Sequence, residues 1–301
     1  MTENEFLLAD RIAKIKSINE LYDLENNAYI SFSGGKDSTV LSHLIDEALP
    51  NNKIPRVFFN TGIEYKAIVK FAERERERDE RIIIINPHIN IKKMLEEKGY
   101  PFKSKEHSDH IACYQKGGMT LWVQKYLGTN TEGRIKAKQF QCPDKLRYQF
   151  TPEFKLKCSK HCCDELKKKT AKNYEKESGK KIVLTGMRAE EGGSRANINC
   201  TAFAEGKLKK FHPLLVITEE FEEWFIKTRN VKLFELYYPP YNFERTGCKG
   251  CPYNMNLQSY LDTLAILLPE ERKQCEIIWK PVYDEYRRIG FRLNNQPTLF
   301  E

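Results

Sequence analysis

Ala28-Tyr29-Ile30-Ser31-Phe32-Ser33-Gly34-Gly35-Lys36-Asp37-Ser38 is the stretch on which the fold of this chain turns. Ala28–Phe32 reads as a buried strand, and from Asp37 to Leu49 the pattern becomes helical. Two adjacent glycines separate them. Such a pair lets the backbone turn tightly and brings its N–H groups close to a ligand, while the helix N-terminus adds unpaired donors and partial positive charge. Phosphate is the natural guest. Because the glycines are adjacent and Lys36 follows at once, this is not the G-x-x-x-x-G-K-[ST] loop. A tight turn capped by Ser or Asp is the plainer alternative.

Outward from this stretch, strands and helices alternate. Leu7–Leu24 has Leu8, Ile12, Ile15 and Ile18 at helical spacing. After the loop helix come a β-rich run at Arg56–Asn60, a charged helix at Tyr65–Asp79 and a third run at Arg81–Asn86. Glu73–Arg78 alternates in charge as a solvated helix face does. Lys181–Thr185 reads as a further strand leading into the loop Gly186–Arg195. This alternation predicts a doubly wound, mostly parallel α/β sheet covered on both faces. Residues 1–252 would form the nucleotide-binding domain. Within it, 87–180 would be an insertion or lid, where from Pro87 to about Tyr148 the pattern weakens among Gly99, Gly117, Gly118, Gly128 and Gly133, followed by a basic, cysteine-bearing segment, and 253–301 would be a helical C-terminal extension. Phe221, Trp224 and Phe225 in Thr218–Arg229 are expected to pack the core, and Leu257–Leu268 and Pro269–Arg288 to be helices.

Composition narrows the function classes. The chain has 301 residues, 40% apolar and 31% charged. Its longest apolar runs are only about five residues, Ile82–Ile85 among them, which excludes a helical membrane span, and 12% aromatics exclude a disordered chain. Met1–Glu5 carries acids before Phe6 rather than the basic region of a secretory signal, so a cytosolic protein is expected. The net charge is +8, and Lys155–Lys181 holds ten lysines against four acids, an excess of six. That segment is either a solvated helix or a patch for an anionic partner, nucleic acid included. Nine cysteines in a cytosolic protein point to metal or thiol chemistry rather than to disulfides. Cys248-Lys249-Gly250-Cys251 has the spacing that lets two thiolates converge on one metal, and Cys158-Ser159-Lys160-His161-Cys162-Cys163 lies far upstream. Cys113, Cys142 and Cys275 receive no role.

Ser33–Ser38, Ser-Gly-Gly-Lys-Asp-Ser, resembles the signature of the PP-loop nucleotide α-hydrolases, which bind ATP or an adenylyl sulfate. Further segments are similar to the phosphoadenylyl sulfate (PAPS) reductase family in particular. Asn60-Thr61-Gly62-Ile63-Glu64 resembles its D-T-G segment, with Asn for Asp. Thr185-Gly186-Met187-Arg188 through Arg195 resembles its T-G-x-R-x-x-E-x-x-x-R segment. Phe211-His212-Pro213-Leu214, Trp224 and Arg245-Thr246-Gly247-Cys248-Lys249-Gly250-Cys251-Pro252 complete the order, so the resemblance covers residues 28–252.

The resemblance implies that Ser31, Ser33, Gly34, Gly35, Lys36, Asp37 and Ser38 bind the nucleotide. Thr61, Gly62, Glu64, Gly186 and Arg188 would assist, and Lys36, Ser38, Arg188 and Arg195 would act on the anion. Mg²⁺ is expected if ATP is the substrate; its ligands are unassigned, Asp37 being nearest, and a helix-cap role suits Asp37 equally. The interval of 85 residues from Cys163 to Cys248 resembles the [4Fe–4S] motif of adenylyl sulfate reductases, which implies Cys162, Cys163, Cys248 and Cys251 as ligands. Nearby lysines and Arg245 would offset the cluster's charge. Structural zinc, with Cys158 or His161 replacing one member, and unligated thiols are the alternatives.

Reductases of this family resemble one another in a C-terminal Glu-Cys-Gly-Leu/Ile-His tail. This sequence closes on Asn294–Glu301 without cysteine, and its last one, Cys275, lies in a stretch of helical pattern with Ile278, Trp279 and Val282. Three functions therefore stand. The first is ATP cleavage at the α-phosphate, with pyrophosphate leaving and sulfur transferred to a nucleic acid or protein partner. The second is sulfonucleotide reduction by another thiol, such as Cys200 or a partner's. The third is a nonenzymatic nucleotide or metal sensor. Homo-oligomerisation is left open.

Overall fold

The structure, a computed structural model, describes residues 2–130, 137–244 and 246–294. Six strands form one sheet: β1 (Ala28–Phe32), β2 (Arg56–Phe59), β3 (Ile82–Ile85), β4 (Ile182–Leu184), β5 (Thr201–Ala204) and β6 (Lys207–Phe211). Their order is β3-β2-β1-β4-β6-β5. Every neighbouring pair is parallel except β5–β6, and the register pairs Ile30 with Arg56 on one side of β1 and with Leu184 on the other. The expected doubly wound, mostly parallel α/β sheet is what forms, as buried strands followed by amphipathic helices require.

Alternation along β1 splits its side chains between the faces. Tyr29 packs with Val57 and with Tyr174 of the Lys169–Ser178 helix, and Phe59, Ile83, Ile85 and Val183 close around them. The Lys36–Ala48 helix packs on β1, and the Lys66–Arg78 helix on β3. Arg56, in β2, is fully buried. Its guanidinium donates to Asn52 Oδ1 at 2.9 Å and Ser42 Oγ at 3.1 Å, and pairs with Asp46 at 2.5 Å, so the strand is tied to the helix beside it. No helix among the described residues is long and apolar enough to cross a membrane.

The chain divides into two compact units: Met1–Pro87 with Lys169–Thr246, and His88–Lys168 with Gly247–Glu301. The first carries the sheet. The 88–168 stretch thus groups with the C-terminal residues, whereas the sequence expectation gives it to the nucleotide-binding domain. Its weak pattern hides three helices, Ile91–Lys98, Lys105–Gly117 and Leu121–Leu127, started by the side chains of Asn90, Ser104 and Thr120. Gly99, Gly118 and Gly128, which mark loops when read in sequence, are the left-handed residues that stop them. In this second unit His107 is fully buried, its ring nitrogens bonded to Tyr126 OH at 2.8 Å and Gln149 Oε1 at 2.7 Å. Leu257–Leu267 and Pro269–Arg288 form the expected helices.

Candidate functional site

In the sheet unit, β1 and β4 are neighbours whose following connections leave in opposite directions. The crevice at their carboxyl ends is therefore the switch point at which open α/β sheets bind ligands. Ser33–Lys36 follows β1 into this crevice and Gly186–Arg188 follows β4. Gly34 has φ +72°, and a Cβ there would stand 2.9 Å from Ile68 Cγ2. Gly35 caps the next helix without a side chain, leaving the first turn's N–H groups to other acceptors. Ser38 Oγ accepts from the Ser33 N–H at 3.1 Å and donates to the Gly35 carbonyl at 3.0 Å, fixing the loop from within. Ser31 lies in β1 opposite Val57.

Gly186 is required by contact rather than by dihedral angle. A Cβ would meet the Asp37 backbone carbon and oxygen at 2.8 Å, so the β4 loop can touch the first turn of the Lys36–Ala48 helix only because the side chain is missing. This approach lets Arg188 Nε donate to Asp37 Oδ1 at 2.9 Å. Arg188 also pairs with Glu190 at 3.0 Å and with Glu222 at 3.6 Å. Lys36 Nζ lies 3.2 Å from Glu219 and 3.3 Å from Glu222. The Lys36 N–H donates to Tyr237 OH at 2.9 Å, and that hydroxyl lies 3.3 Å from Thr246 Oγ1.

Charge follows the geometry. Burial works against the Lys36 ammonium, but Glu222 and Glu219 outweigh it and hold the group above its ordinary value. Burial is likewise outweighed at Arg188, by Glu222, Asp37 and Glu190. Burial and the nearby Asp37 push the Glu222 carboxyl up to about 7 despite Arg188 and Lys36. Glu219, exposed, is held low by its hydrogen bond from Lys36.

Lys36, Asp37, Ser38, Gly186 and Arg188 are thus brought together. Arg195 pairs with Glu191, one turn back along the chain. Thr61 Oγ1 donates to Glu64 at 2.7 Å, and Gly62, with φ +83°, takes the turn between them. Glu222, Glu219 and Tyr237 escape sequence reasoning. Phe221 and Phe225 do pack the core as expected, and that apolar spacing draws the eye from the acids between them. Only Thr218-Glu219, a cap followed by acids, signals a helix start facing cations. Cys200, the sheet unit's one cysteine, donates its thiol to the His212 carbonyl at 3.3 Å.

The second unit holds the expected cysteine set. Cys162 and Cys163 form a short helical turn that widens at once into a π-helical turn, Asp164–Lys168. The Cys162 thiol donates to Cys163, which, with Lys105 and Lys167 nearby, brings the Cys163 thiol down to about 6. Cys162 is pushed up by this same bond, by burial and by Cys163, Cys251 and Cys248. Burial and Cys248 raise Cys251 to about 12. Gly250, φ +61°, turns the Cys248–Cys251 loop against Tyr283 and Cys275. Below the loop, Lys249 Nζ meets Glu271 at 2.6 Å, and Trp279 Nε1 donates to the Lys249 carbonyl at 3.0 Å.

Four thiols within electrostatic reach of one another, in basic surroundings, suit a thiophilic group by their chemistry. Cys162 and Cys163 are hydrogen-bonded to each other, and among the described residues no three Cys, His, Asp or Glu side chains gather tightly enough to hold a metal ion. Cys158 stands apart, its thiol donating to the Leu156 carbonyl at 3.5 Å, and His161 lies 3.9 Å from Asp164. Arg245 lies outside the described residues. Of the lysine-rich segment, Lys160 pairs with Asp109 and Lys168 with Asp164, while Lys155, Lys172, Lys176 and Lys181 are exposed.

A parallel sheet whose first strand runs into Ser-Gly-Gly-Lys-Asp-Ser at the switch point defines a PP-loop protein. More narrowly, the chain belongs to the phosphoadenosine phosphosulfate reductase domain family, whose model matches residues 27–119 and 123–254. Among solved structures, the PAPS reductase from Candida auris in a phosphate complex is 17% identical, covering 74% of this chain and 81% of that one, with TM-score 0.41. Candida glabrata FMN adenylyltransferase is 14% identical over 80% of this chain and 61% of its own, with TM-score 0.44. The U34-tRNA thiolase NcsA from Methanococcus maripaludis, with its [4Fe–4S] cluster, is 15% identical over 98% of this chain and 82% of its own, with TM-score 0.38. A comparison with curated proteins found no match.

Proposed function

We propose that the protein cleaves ATP at the α-phosphate and uses the adenylate to activate an acceptor for sulfur transfer. The observation that carries this reading is the meeting of Lys36 and Arg188 beside the N-terminus of the Lys36–Ala48 helix at the switch point. An acceptor oxygen would attack the α-phosphorus, the bond to the β-phosphate oxygen would break, and pyrophosphate would leave. A sulfur nucleophile would then displace the adenylate. Lys36, Arg188 and the loop N–H groups hold the phosphates and meet the negative charge that grows on the leaving group. Gly34, Gly35 and Gly186 let the backbone approach, Ser33 and Ser38 fix the loop, and Thr61, Gly62 and Glu64, in the turn after β2, would assist. Cys200 already donates to a carbonyl, which favours this reading over reduction by that thiol.

Cys162, Cys163, Cys248 and Cys251 would hold a [4Fe–4S] cluster, which when bound supplies a site for sulfur ligation or electron transfer. The exposed lysines suit a nucleic acid or an acidic protein as acceptor. The test is equilibrium binding of ATP–Mg²⁺, adenylyl sulfate and PAPS to protein purified without oxygen, with iron, sulfide and zinc measured on the same sample. ATP binding with pyrophosphate release supports adenylation. Tight binding of a sulfonucleotide alone moves the protein to reduction, and zinc without sulfide removes the cluster. If Lys36→Ala with Ser38→Ala abolished nucleotide binding but left cellular activity intact, both enzymatic readings would fall together.

A further inference from the structure

Glu222 is out of place in an anion site. Its side chain has no exposure, and neither carboxylate oxygen is satisfied by a well-aligned hydrogen bond, the nearest donors being Lys36 Nζ at 3.3 Å and Arg188 at 3.6 Å. Buried carboxylates are ordinarily satisfied, because an ionised group without donors is costly. The groups acting on it are Lys36 and Asp37 from the Lys36–Ala48 helix and Arg188 after β4, while Glu190 in the turn beyond and Glu219 on its own helix pair with the same two cations. Two cations thus face four carboxylates. The cradle has more negative than positive side-chain charge before any ligand arrives.

A phosphoryl or sulfuryl group seated on Lys36 and Arg188 takes over the attraction that holds Glu222 ionised, and adds repulsion of its own. Two oxyanions at hydrogen-bond distance are stable only with a proton between them, and such an O–H···O⁻ bond is short and strong. We propose that Glu222 takes up one proton as the anion binds and donates it in a hydrogen bond to an oxygen of the phosphoryl or sulfuryl group held by Lys36 and Arg188. Glu222 is then a ligand-binding residue, and occupancy of the cradle is proton-coupled. Its carboxyl, already held near 7, needs little further shift to change state. This rests on the cradle taking an anion, as the proposed function requires, but not on which nucleotide brings it.

The experiment is calorimetric titration of the full chain with adenylyl sulfate and with ATP, in EDTA at pH 8, in buffers of different ionisation enthalpy. Neither ligand titrates appreciably there. The wild type should take up about one proton per site, and its affinity should fall by up to about tenfold per pH unit from pH 7 to 9. Glu222→Gln, whose amide keeps a donor, should take up none, bind at pH 8 at least as tightly as the wild type, and show no slope. Glu222→Leu should be equally flat but weaker. Absence of proton uptake by the wild type, an unchanged slope in Glu222→Gln, or no binding of either ligand at pH 6 and 8 would overturn the proposal. Should Glu222→Gln fail to fold by circular dichroism, the wild-type proton count decides alone. If only adenylyl sulfate binds in EDTA, its proton count alone decides for or against Glu222, while the ATP reading stands or falls separately on the ATP–Mg²⁺ titration.

Discussion

Truncating Glu271 should unseat the Cys248–Cys251 loop from beneath. Lys249, between the two cysteines, is buried with its ammonium 2.6 Å from Glu271, the two side chains being 3% and 7% exposed. Removing one partner of such a pair leaves an uncompensated buried charge, at a cost of about 3–5 kcal/mol. Gln274 also accepts from Lys249, which places Glu271→Ala near about 3 kcal/mol. With a urea slope of about 1–3 kcal/mol per molar, the second unit's midpoint should drop by about 1–3 M. Trp279, bonded to the Lys249 carbonyl, supplies the fluorescence signal. Replacing both partners, Lys249→Met with Glu271→Leu, should recover most of the loss, because an apolar pair carries no desolvation cost. A loss below about 1 kcal/mol in Glu271→Ala, or a double variant as unstable as the single, would refute this account of the loop's support.

Three further outcomes are expected. Gly186→Ala drives a methyl into the Asp37 backbone, so anion affinity should fall about tenfold, about 1.4 kcal/mol, by calorimetry, with circular dichroism unchanged. Gly250→Ala combines a left-handed φ with a Cβ 2.5 Å from Tyr283 OH, and should lower stability by about 2–4 kcal/mol in urea melts. Burial lowers the His107 pKa from 6.5 to about 3, so between those values the unfolded chain binds the extra proton and stability is lost as pH falls. His107→Phe should flatten that acid limb in melts from pH 7 to 4.

How much was legible follows from where each residue's environment comes from. β1, its glycine turn and the following helix are decided within a dozen residues, so sequence alone places the loop. Apolar spacing likewise finds Phe221 and Phe225, because core burial is periodic. The acids of the same helix are different. Glu222 becomes a site residue only because β4 returns beside β1 and carries Arg188 with it, a meeting across the sheet that no local pattern encodes. Arg195 illustrates the converse: its motif matches, yet a nearer acid, Glu191, takes its guanidinium. The helices of 88–130 were hidden by glycines that, in one dimension, stop a helix and open a loop with the same letter.

The strand order also bears on how the chain is made. β1 to β3 emerge together, but β4, the other neighbour of β1, follows only after the whole 88–168 stretch. At about 5–20 residues per second, that leaves one edge of the loop-bearing strand open for on the order of ten seconds of synthesis. Over that interval the open edge and the four isoleucines of β3 are a template for pairing with other chains. Slowed synthesis or lower temperature should therefore trade yield against aggregation at this step, well before any ligand site exists.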